Sequence, residues 1–478
     1  MKLIIPLGGL GTRYKKFNYN LPKSLVNAAG KPILYWLLDN LNFSKINQII
    51  IPYNKELDNY RFESVIKNKY NNLNFLFLKL NYDTEGAAQT IFEGLNIIED
   101  GDSPIICLDG DNFYLEDILS KWDGENTIFT FNDYNAEPIY SYIKINNDNN
   151  VSDIVEKKKI SNQACTGAYA FSSWKLLKKY CKIIINNNIR QKNEFYTSNV
   201  IKEMIKNNIN FININIKKEN YICLGTPFHL RLFCNNIPKI NALTNKEFFS
   251  KKRYCFDLDN TLVTFPKIRG DYTTVDPIIK NISFLKYLKK IGNYIIIYTA
   301  RRMKTFNGNL GKLNKDICKI TFDTLDKFEI PYDEIYFGKP YADFYIDDLA
   351  ISSYDNLEKK LGFYSSNINP RDFNEIKSNS INTYRKTSSD LSGEIFYYNN
   401  IPNEIKDMFP VLIDYDKNHK WYEMEGINGI PINKLYLSQE LTPELLIHIY
   451  GSIKRIHSCK IKKENINIYS NYSNKIKK

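Results

Sequence analysis

The sequence contains little histidine, and its cysteines are not paired. Only 4 of the 478 residues are histidine, and none of the 8 cysteines belongs to a C-x-x-C pair. Structural zinc sites combine Cys and His at short, repeated spacings, so the sequence argues against one. Several cysteines lie in apolar, strand-like segments, which favours reduced thiols in the core over disulfides. We therefore expect an intracellular protein that needs neither zinc nor disulfides.

Long apolar runs are also missing. No run of 18 or more apolar residues occurs, and the opening "MKLIIPL" is soon followed by glycine. A membrane helix or a secretion signal would need a longer apolar stretch. We therefore predict no membrane association and a cytoplasmic location.

The balance of charge is positive. The formal net charge is +12, but Lys and Arg are mixed with acids along most of the chain, and we find no aromatic-basic recognition motif. This pattern favours a solvated surface, and a positive field also suits anionic phosphate substrates. Nucleic acid is not expected as a partner, although the charge alone permits it.

Strand-like and helix-like segments alternate twice along the chain. Apolar strands such as "KLIIPL", "QIIIPY" and "PIICLDGD" are separated by helical patterns up to residue 240, and a second alternation covers residues 253–366. Such continuous apolar strands predict α/β domains with a parallel sheet covered on both faces. Residues 241–252 and 367–380 look like linkers, and residues 381–478 form a third region that mixes strand and helix patterns. At roughly 100–200 residues per domain, a chain of 478 residues is expected to contain about three domains, which agrees with this division.

The first strand runs into a glycine-rich segment, "IIPLGGLGTR". Gly8, Gly9 and Gly11 would let backbone N–H groups approach an oligophosphate, because glycine has no Cβ. Arg13 and Lys23 would add two positive charges at the same phosphate chain. The sequence therefore predicts a phosphate site at the end of the first strand.

Residues 1–240 resemble the sugar-1-phosphate nucleotidylyltransferase family, whose signature is G-G-x-G-T-R followed by P-K. Further segments follow in the family's order: "EGAAQT", "CLDGDNFY", "IVEKK", "CTGAYAF" and "NEFYTSNV". The resemblance implies a Rossmann-like fold and transfer from an NTP to a sugar or polyol phosphate, with Mg²⁺. The resemblance does not decide whether the NTP is CTP, GTP, UTP or dTTP. It implies these roles: Gly8, Gly9, Gly11, Thr12, Gly86 and Ala87 for the nucleotide; Arg13 and Lys23 for catalysis; Asp111, with Asp109 as a weaker candidate, for the metal; Glu156, Lys157, Gly167 and Glu194 for the acceptor.

One position departs from that family. Near "YICLGTPFHL" many relatives carry a second metal-binding Asp two residues before the glycine, and Cys223 stands there in this chain. The departure puts a second metal ion in doubt but leaves the fold prediction unchanged.

A second charged motif lies at the end of a later strand, in "FDLDNTLV". Asp257 has the position of a carboxylate nucleophile, and Asp259 that of an acid and base for the leaving oxygen and for water. Thr299 and Lys339 follow two further strands, and Asp347 and Asp348 are expected at the end of a fourth. The carboxyl ends of parallel strands meet at one sheet edge, so we expect these groups to form one site.

These four elements resemble the haloacid-dehalogenase (HAD) superfamily, in particular its small capsule-biosynthesis phosphatases, over residues 253–366. The resemblance implies a Mg²⁺-dependent phosphatase that acts through an aspartyl-phosphate, without a large cap. The implied metal ligands are Asp257, Asp259, Asp347 and Asp348. Arg301 and Arg302 could bind substrate phosphate or cap the following segment, and the sequence does not decide between these roles.

Residues 381–478 resemble the N-lobe of the aminoglycoside/choline kinase-like family. Lys386 would be the nucleotide-binding lysine and Glu394 its helix partner. No counterpart of that family's H-x-D loop occurs in this region, so the resemblance implies a partial α+β lobe without phosphoryl transfer.

These interpretations together predict a bifunctional enzyme of surface-polysaccharide precursor synthesis. One domain would activate a sugar or polyol phosphate with an NTP, and the next would hydrolyse a phosphomonoester. A homo-oligomer is compatible with the sequence. Two alternatives are a non-catalytic sensor of nucleotide or phosphate, and a phosphatase that processes nucleic-acid ends.

Overall fold

The computed structural model describes residues 1–99, 101–134, 138–191, 193–244, 251–364, 375–380, 383–425, 432, 441 and 443–459. The chain divides into two compact units, Met1–Ser365 and Ser366–Lys478. The predicted boundary near residue 240 therefore falls inside the first unit.

The first unit contains a large mixed sheet. Nine strands form it, in the order β10-β9-β11-β6-β1-β4-β5 with β8 beside β11 and β12 beside β8. The strands of this region and two short pairs next to the sheet are β1 (Lys2–Ile4), β2 (Asn27–Ala28), β3 (Lys31–Pro32), β4 (Gln48–Asn54), β5 (Phe75–Leu80), β6 (Ile105–Leu108), β7 (Asn112–Tyr114), β8 (Thr127–Asn132), β9 (Ser141–Ile145), β10 (Val151–Glu156), β11 (Gln163–Phe171), β12 (Ile212–Asn215) and β13 (Tyr221–Cys223).

The sheet is only partly parallel. Strands β6, β1, β4 and β5 run parallel to one another, whereas β11 is antiparallel to β6, β8 and β9. A wholly parallel sheet was expected, and the α/β class is right while that detail is wrong. Strands β9 and β10 are also antiparallel, and the short turn that joins them is a connection that only antiparallel neighbours allow.

Helices cover both faces of this sheet. They are α1 (Thr12–Lys15), α2 (Ile33–Asp39), α3 (Phe62–Lys69), α4 (Ala87–Asn96), α5 (Trp174–Asn186), α6 (Thr197–Lys206) and α7 (Pro227–Thr244). Along β1, Leu3 and Ile5 belong to one buried cluster and Ile4 to the other. This alternation follows from the two-residue period of a strand and shows that neither face of β1 meets water.

Helix α5 illustrates how the sequence directs these elements. Ser173 caps its start by accepting a hydrogen bond from the Leu176 amide. Trp174, Leu177 and Cys181 recur at helical spacing and are buried. The sequence therefore encodes both the beginning of the helix and the face that packs on the sheet.

A second, smaller sheet lies in the same unit. Its parallel strands β14 (Arg253–Phe256), β15 (Tyr294–Thr299) and β16 (Glu334–Phe337) pack with helices α8 (Ile279–Lys290), α9 (Leu310–Lys327) and α10 (Leu357–Leu361). Phe256, Leu258 and Ile297 belong to the same buried cluster as Leu3 and Ile5 of the first sheet. The two predicted α/β domains thus share one apolar core.

The fourth strand predicted for this sheet does not form. Residues 342–348 have neither helix nor strand structure, and Ile346 and Leu349 are 98% and 85% exposed. The aromatic and β-branched residues Phe344, Tyr345 and Ile346 have β propensity, but a strand needs a hydrogen-bonding neighbour, which local sequence does not supply.

The second unit is built on a four-stranded antiparallel sheet. Strands β17 (Glu375–Ser380), β18 (Thr383–Thr387), β19 (Leu412–Tyr415) and β20 (Trp421–Glu425) are arranged in the order β17-β18-β20-β19, with helices α11 (Ser392–Asn399) and α12 (Pro443–Ser458). Leu391, Ile395 and Tyr422 form its small core. Throughout the described parts of both units, no helix has the length and apolar character needed to cross a membrane.

Candidate active sites

The first candidate site lies at the carboxyl edge of the parallel strands. Strands β1 and β6 are neighbours, so the glycine segment after β1 and the Asp109–Asp111 segment after β6 meet at the same edge. They surround a cavity of about 460 Å³. Its lining includes these residues predicted for nucleotide, metal or substrate: Gly8, Gly9, Gly11, Thr12, Arg13, Lys23, Gly86, Ala87, Asp109, Asp111 and Glu194.

An ion pair lies on the wall of this cavity. The Lys23 ammonium donates to Oδ2 of Asp111. Burial acts to raise the pKa of Asp111, but the positive charge and hydrogen bond of Lys23 outweigh it and hold the pKa below its usual value. Asp111 is therefore ionised at neutral pH, and its carboxylate forms an ion pair with the Lys23 ammonium on the cavity wall.

Asp109 behaves differently from its neighbour. Burial, together with the negative charge of Asp111, raises the pKa of Asp109 above its ordinary value. Two acids so close repel each other when both are ionised, and a divalent cation would relieve that repulsion. This chemistry fits Mg²⁺, which commonly binds one or two carboxylates together with substrate phosphates. Within the described ranges, no three His, Cys, Asp or Glu side chains form a metal-binding group.

The absence of a side chain at Gly167 leaves room for the carboxylate of Asp109. The Gly167 backbone has φ +84°, and a Cβ at this position would lie 2.3 Å from Oδ2 of Asp109. Only glycine accepts this conformation and this contact without strain. The glycine predicted to face the acceptor therefore also shapes the acidic pair.

Cys223 lies near Asp111. The resemblance implied this nearness, because many relatives carry a second metal-binding Asp at the position of Cys223, two residues before Gly225. A Cβ built on Gly225 would be 2.9 Å from Oδ2 of Asp111 and 3.3 Å from the Cys223 sulfur. Burial, together with the charge of Asp111, raises the pKa of Cys223 to about 11. The thiol is therefore protonated at neutral pH and is a poor ligand for Mg²⁺.

Glu156 and Lys157 are not among the residues that line the cavity. Glu156 is buried and accepts hydrogen bonds from the hydroxyls of Ser141 and Ser198, the latter at 3.0 Å. Lys157 donates to the hydroxyl of Tyr196 at 2.8 Å. Both side chains are thus held by protein groups, and an acceptor role for them stays a prediction.

The sequence interpretation missed Asn54, which follows the apolar part of β4. It is buried, lines the cavity, and donates to the Gly8 carbonyl at 3.4 Å and to Asp83 at 2.9 Å. Strand β4 lies next to β1, so the end of β4 reaches the same sheet edge. A polar residue at the end of an apolar strand was the signal that could have identified it.

The second candidate site lies at the carboxyl ends of β14, β15 and β16. The Lys339 ammonium is 3.3 Å from Oδ1 of Asp257, and the Lys339 amide donates to the Thr299 carbonyl at 3.1 Å. Thr299 is buried at the end of β15. The structure thus brings together the predicted nucleophile and its lysine, with the threonine backbone next to that lysine.

Asp259 forms an ion pair that the sequence did not reveal. The Arg301 guanidinium donates to both of its oxygens, with Nε at 2.9 Å from Oδ2 and Nη2 at 2.8 Å from Oδ1. Arg301 is buried and also donates to the hydroxyl of Thr321. Burial raises the pKa of Asp259 above its usual value, although Arg301 acts in the opposite direction. A raised pKa suits a group that must deliver a proton.

The two arginines left open by the sequence are both engaged within the protein. Arg301 is paired with Asp259, and Arg302 is paired with Asp316 at 2.7 Å and donates to the Gly270 carbonyl. Both guanidinium groups are thus held by protein groups, Arg301 orients the predicted acid, and a role of either arginine toward a substrate phosphate stays a prediction.

The predicted magnesium site of this domain is not assembled. Asp347 and Asp348 lie in the exposed segment without regular structure, and they do not join Asp257 in a group of three carboxylates in the part of the chain that the structure describes. The placement of both aspartates at a strand end was wrong because the fourth strand is missing. Their role as metal ligands stays a prediction.

Loss of the Arg301 side chain should be strongly destabilising. Arg301→Met would leave the largely buried carboxylate of Asp259, whose side chain is 17% exposed, without its partner. We expect a loss of about 3 kcal/mol in the free energy of unfolding, measured by urea denaturation. Arg302→Met is the matched control, because its side chain is 24% exposed and its partner Asp316 is 40% exposed. That change should cost about 1 kcal/mol or less. Equal losses in the two variants would contradict a structural role specific to Arg301.

In the second unit, the ion pair expected between Lys386 and Glu394 is present. Lys386 donates to both oxygens of Glu394 at 2.7 Å, and the Tyr422 hydroxyl also donates to Glu394 at 2.7 Å. The pair joins β18 to α11. A wider role for this unit stays a prediction.

Comparison with known proteins finds a family match in the first domain. Residues 2–226 match the nucleotidyl transferase family. The bifunctional protein GlmU of Methanococcus aeolicus is 27% identical over 220 residues, which are 45% of this chain and 50% of that protein. The D-glycero-alpha-D-manno-heptose 1-phosphate guanylyltransferase of Campylobacter jejuni is 32% identical over 125 residues, which are 25% of this chain and 52% of that protein.

A crystal structure from Vibrio cholerae is 39% identical to this chain. The match covers 23% of this chain and 96% of the other, with a TM-score of 0.22. The chain spans about half the length of the curated relatives it matches. Since the family match and the cavity at the carboxyl edge of β1 and β6 fall in the same residues, residues 2–226 form a nucleotidyl transferase domain.

Proposed function

We propose that the first domain transfers a nucleotidyl group from an NTP to a sugar or polyol phosphate and releases pyrophosphate. The observation that carries this proposal is the Lys23–Asp111 ion pair on the wall of a cavity that the glycine segment and Arg13 also line. A cavity with backbone amides, two cations and an acidic pair suits a triphosphate.

The reaction is a displacement at the α-phosphorus. A phosphate oxygen of the acceptor attacks it, and the bond from the α-phosphorus to the oxygen shared with the β-phosphorus breaks. Arg13 and Lys23 stabilise the negative charge that grows on the oxygens of the transferred group. Asp111, with Asp109 beside it, would hold Mg²⁺, which neutralises the charge of the triphosphate when it is bound.

The acceptor would enter beside the acidic pair. Glu194 lines the cavity, and Gly167 lies against Asp109. A carboxylate such as that of Glu194 accepts hydrogen bonds from hydroxyls, which sugars and polyols carry in number. The name of the Campylobacter jejuni relative includes a sugar 1-phosphate, which supports this substrate class.

A panel assay tests this proposal directly. Pyrophosphate release is measured with CTP, GTP, UTP and dTTP, each with a set of sugar and polyol phosphates and Mg²⁺. We expect turnover with one base and one acceptor class. An absence of turnover with every pair would overturn the proposal and favour a sensor of nucleotide or phosphate.

We propose a second activity for residues 253–364, the hydrolysis of a phosphomonoester. The observation that favours it is the contact of Lys339 with Asp257, next to an Asp259 whose pKa is raised. An Asp257 oxygen would attack phosphorus, the bond from phosphorus to the ester oxygen would break, and Asp259 would give that oxygen a proton. Water would then attack the phosphorus of the acyl phosphate, Asp259 would take a proton from it, and phosphate would leave. Because Asp257, Asp347 and Asp348 are not grouped, we derive no step through a metal ion here.

The two activities fit one pathway of activated precursors for surface polysaccharides. The hydrolase would prepare or edit the phosphorylated compound that the transferase activates. Hydrolysis of nucleic-acid ends is the competing function, and the binding of oligonucleotides with a steep salt dependence would support it instead.

A further inference from the structure

The loop between Arg13 and Lys23 contacts the second α/β domain. We name residues 357–364, which include α10, the clasp segment. The Lys359 ammonium donates to the Phe17 carbonyl and lies 4.3 Å from the centre of the Tyr19 ring. The hydroxyls of Tyr19 and Tyr364 are 2.8 Å apart. Two residues of the clasp segment therefore hold the loop that joins the two cationic residues.

The clasp segment also holds the hairpin that follows Lys23. The Ala29 amide donates to the Gly362 carbonyl at 2.8 Å, and the Gly30 amide donates to the Leu361 carbonyl at 2.7 Å. Gly362 has φ +69°, and a Cβ there would lie 2.1 Å from the Asn27 carbonyl oxygen. Glycine thus permits a close backbone approach at this point. The loop is fixed on both sides of Lys23.

A continuous set of contacts leads from the clasp segment to the acidic pair. The rings of Tyr19 and Tyr14 meet edge to face at 5.1 Å. The Tyr14 hydroxyl donates to the Leu224 carbonyl at 2.5 Å, and the Leu224 amide donates to the Asp111 carbonyl at 2.7 Å. Tyr14 directly follows Arg13 in α1 and is fully buried. These groups have little freedom to shift independently.

We infer that the clasp segment positions Arg13 and Lys23 for nucleotidyl transfer, so that the second α/β domain is a structural part of the first site. This inference rests on the proposed transferase function. Lys359 and Tyr364 act here as positioning residues, because they contact the loop and not the reacting atoms. Misplacing a catalytic group by about 1 Å can cost up to about 100-fold in rate.

Replacement of Lys359 tests the inference. Lys359→Met should lower the kcat for pyrophosphate release about tenfold and leave the KM for the NTP within about twofold, because Arg13 and Lys23 act mainly on the transition state. Lys359→Arg should restore most of the rate. Lys360→Met is the matched control on the same helix, because the Lys360 side chain pairs with Asp355 and is 36% exposed. Rates are normalised to folded protein, and Tyr364→Phe serves as a milder second variant.

The possible results separate the inference from the function on which it rests. An unchanged kcat in both Lys359→Met and Tyr364→Phe, or an equal loss in Lys360→Met, would overturn the inference. If the wild type releases no pyrophosphate, the transferase function fails, and hydrogen exchange still tests the clasp segment. The amides of residues 12–30 should then exchange faster in Lys359→Met than in Lys360→Met, and equal rates would contradict the inference.

Discussion

Asp111→Asn is expected to lower pyrophosphate release by at least about 100-fold, the scale on which the loss of one well-placed electrostatic group acts. The substitution removes the negative charge that pairs with Lys23 and lines the cavity of the first site. The Lys23 ammonium would lose its charged partner. The pKa of Asp109 would stay raised by burial but would lose the additional, smaller effect of the Asp111 charge. We expect the loss in kcat rather than only in KM, because these charges act on the phosphate group in transfer.

Asp148→Asn is a suitable control for this variant. Asp148 lies exposed in the turn between β9 and β10. Its substitution should leave the rate of pyrophosphate release unchanged. If Asp111→Asn kept more than about a tenth of the wild-type rate, the assignment of Asp111 to the reaction would be wrong.

Asp257→Asn should remove phosphate release from the second site while pyrophosphate release continues. An amide cannot form the acyl phosphate, and loss of a nucleophile typically costs at least about 10³-fold. The assay measures phosphate from p-nitrophenyl phosphate and from a panel of sugar phosphates. In the same samples, the rate of the transferase serves as an internal measure of folded protein.

The exposed Asp326 on α9 provides the matched control for this site. Asp326→Asn should leave both rates intact. Phosphate release that persists in Asp257→Asn would exclude an aspartyl-phosphate at this residue. A wild type that hydrolyses nothing would instead support the binding-only alternative for this domain.

Much of the first site was predictable because it depends on residues at strand ends. Apolar strands can be recognised in the sequence, and neighbouring parallel strands have their carboxyl ends at one edge of the sheet. The short motifs that follow these strands therefore predicted that Arg13, Lys23 and Asp111 would line one cavity. Asn54 was missed because its strand carries no motif, and only the pairing of β4 with β1 brings it to the cavity.

The second site was less predictable because its geometry depends on distant partners. The sequence does not show that Arg301 folds back onto Asp259, since 42 residues separate them and no spacing rule applies. The strand expected at residues 342–348 depended on a short apolar segment before two aspartates, whereas pairing with a neighbour is a property of the whole sheet. Motif order thus indicated the residue types of this site, but tertiary structure decides which of them meet.

The pairing of the β2–β3 hairpin with the clasp segment also has a consequence for biosynthesis. Asn27 and its partner Lys360 are 333 positions apart. A ribosome that adds 5–20 residues per second needs roughly 15 to 70 s to cover that distance. During this interval the emerging hairpin has no final partner, so the loop between Arg13 and Lys23 cannot reach its final contacts until most of the polypeptide has been made.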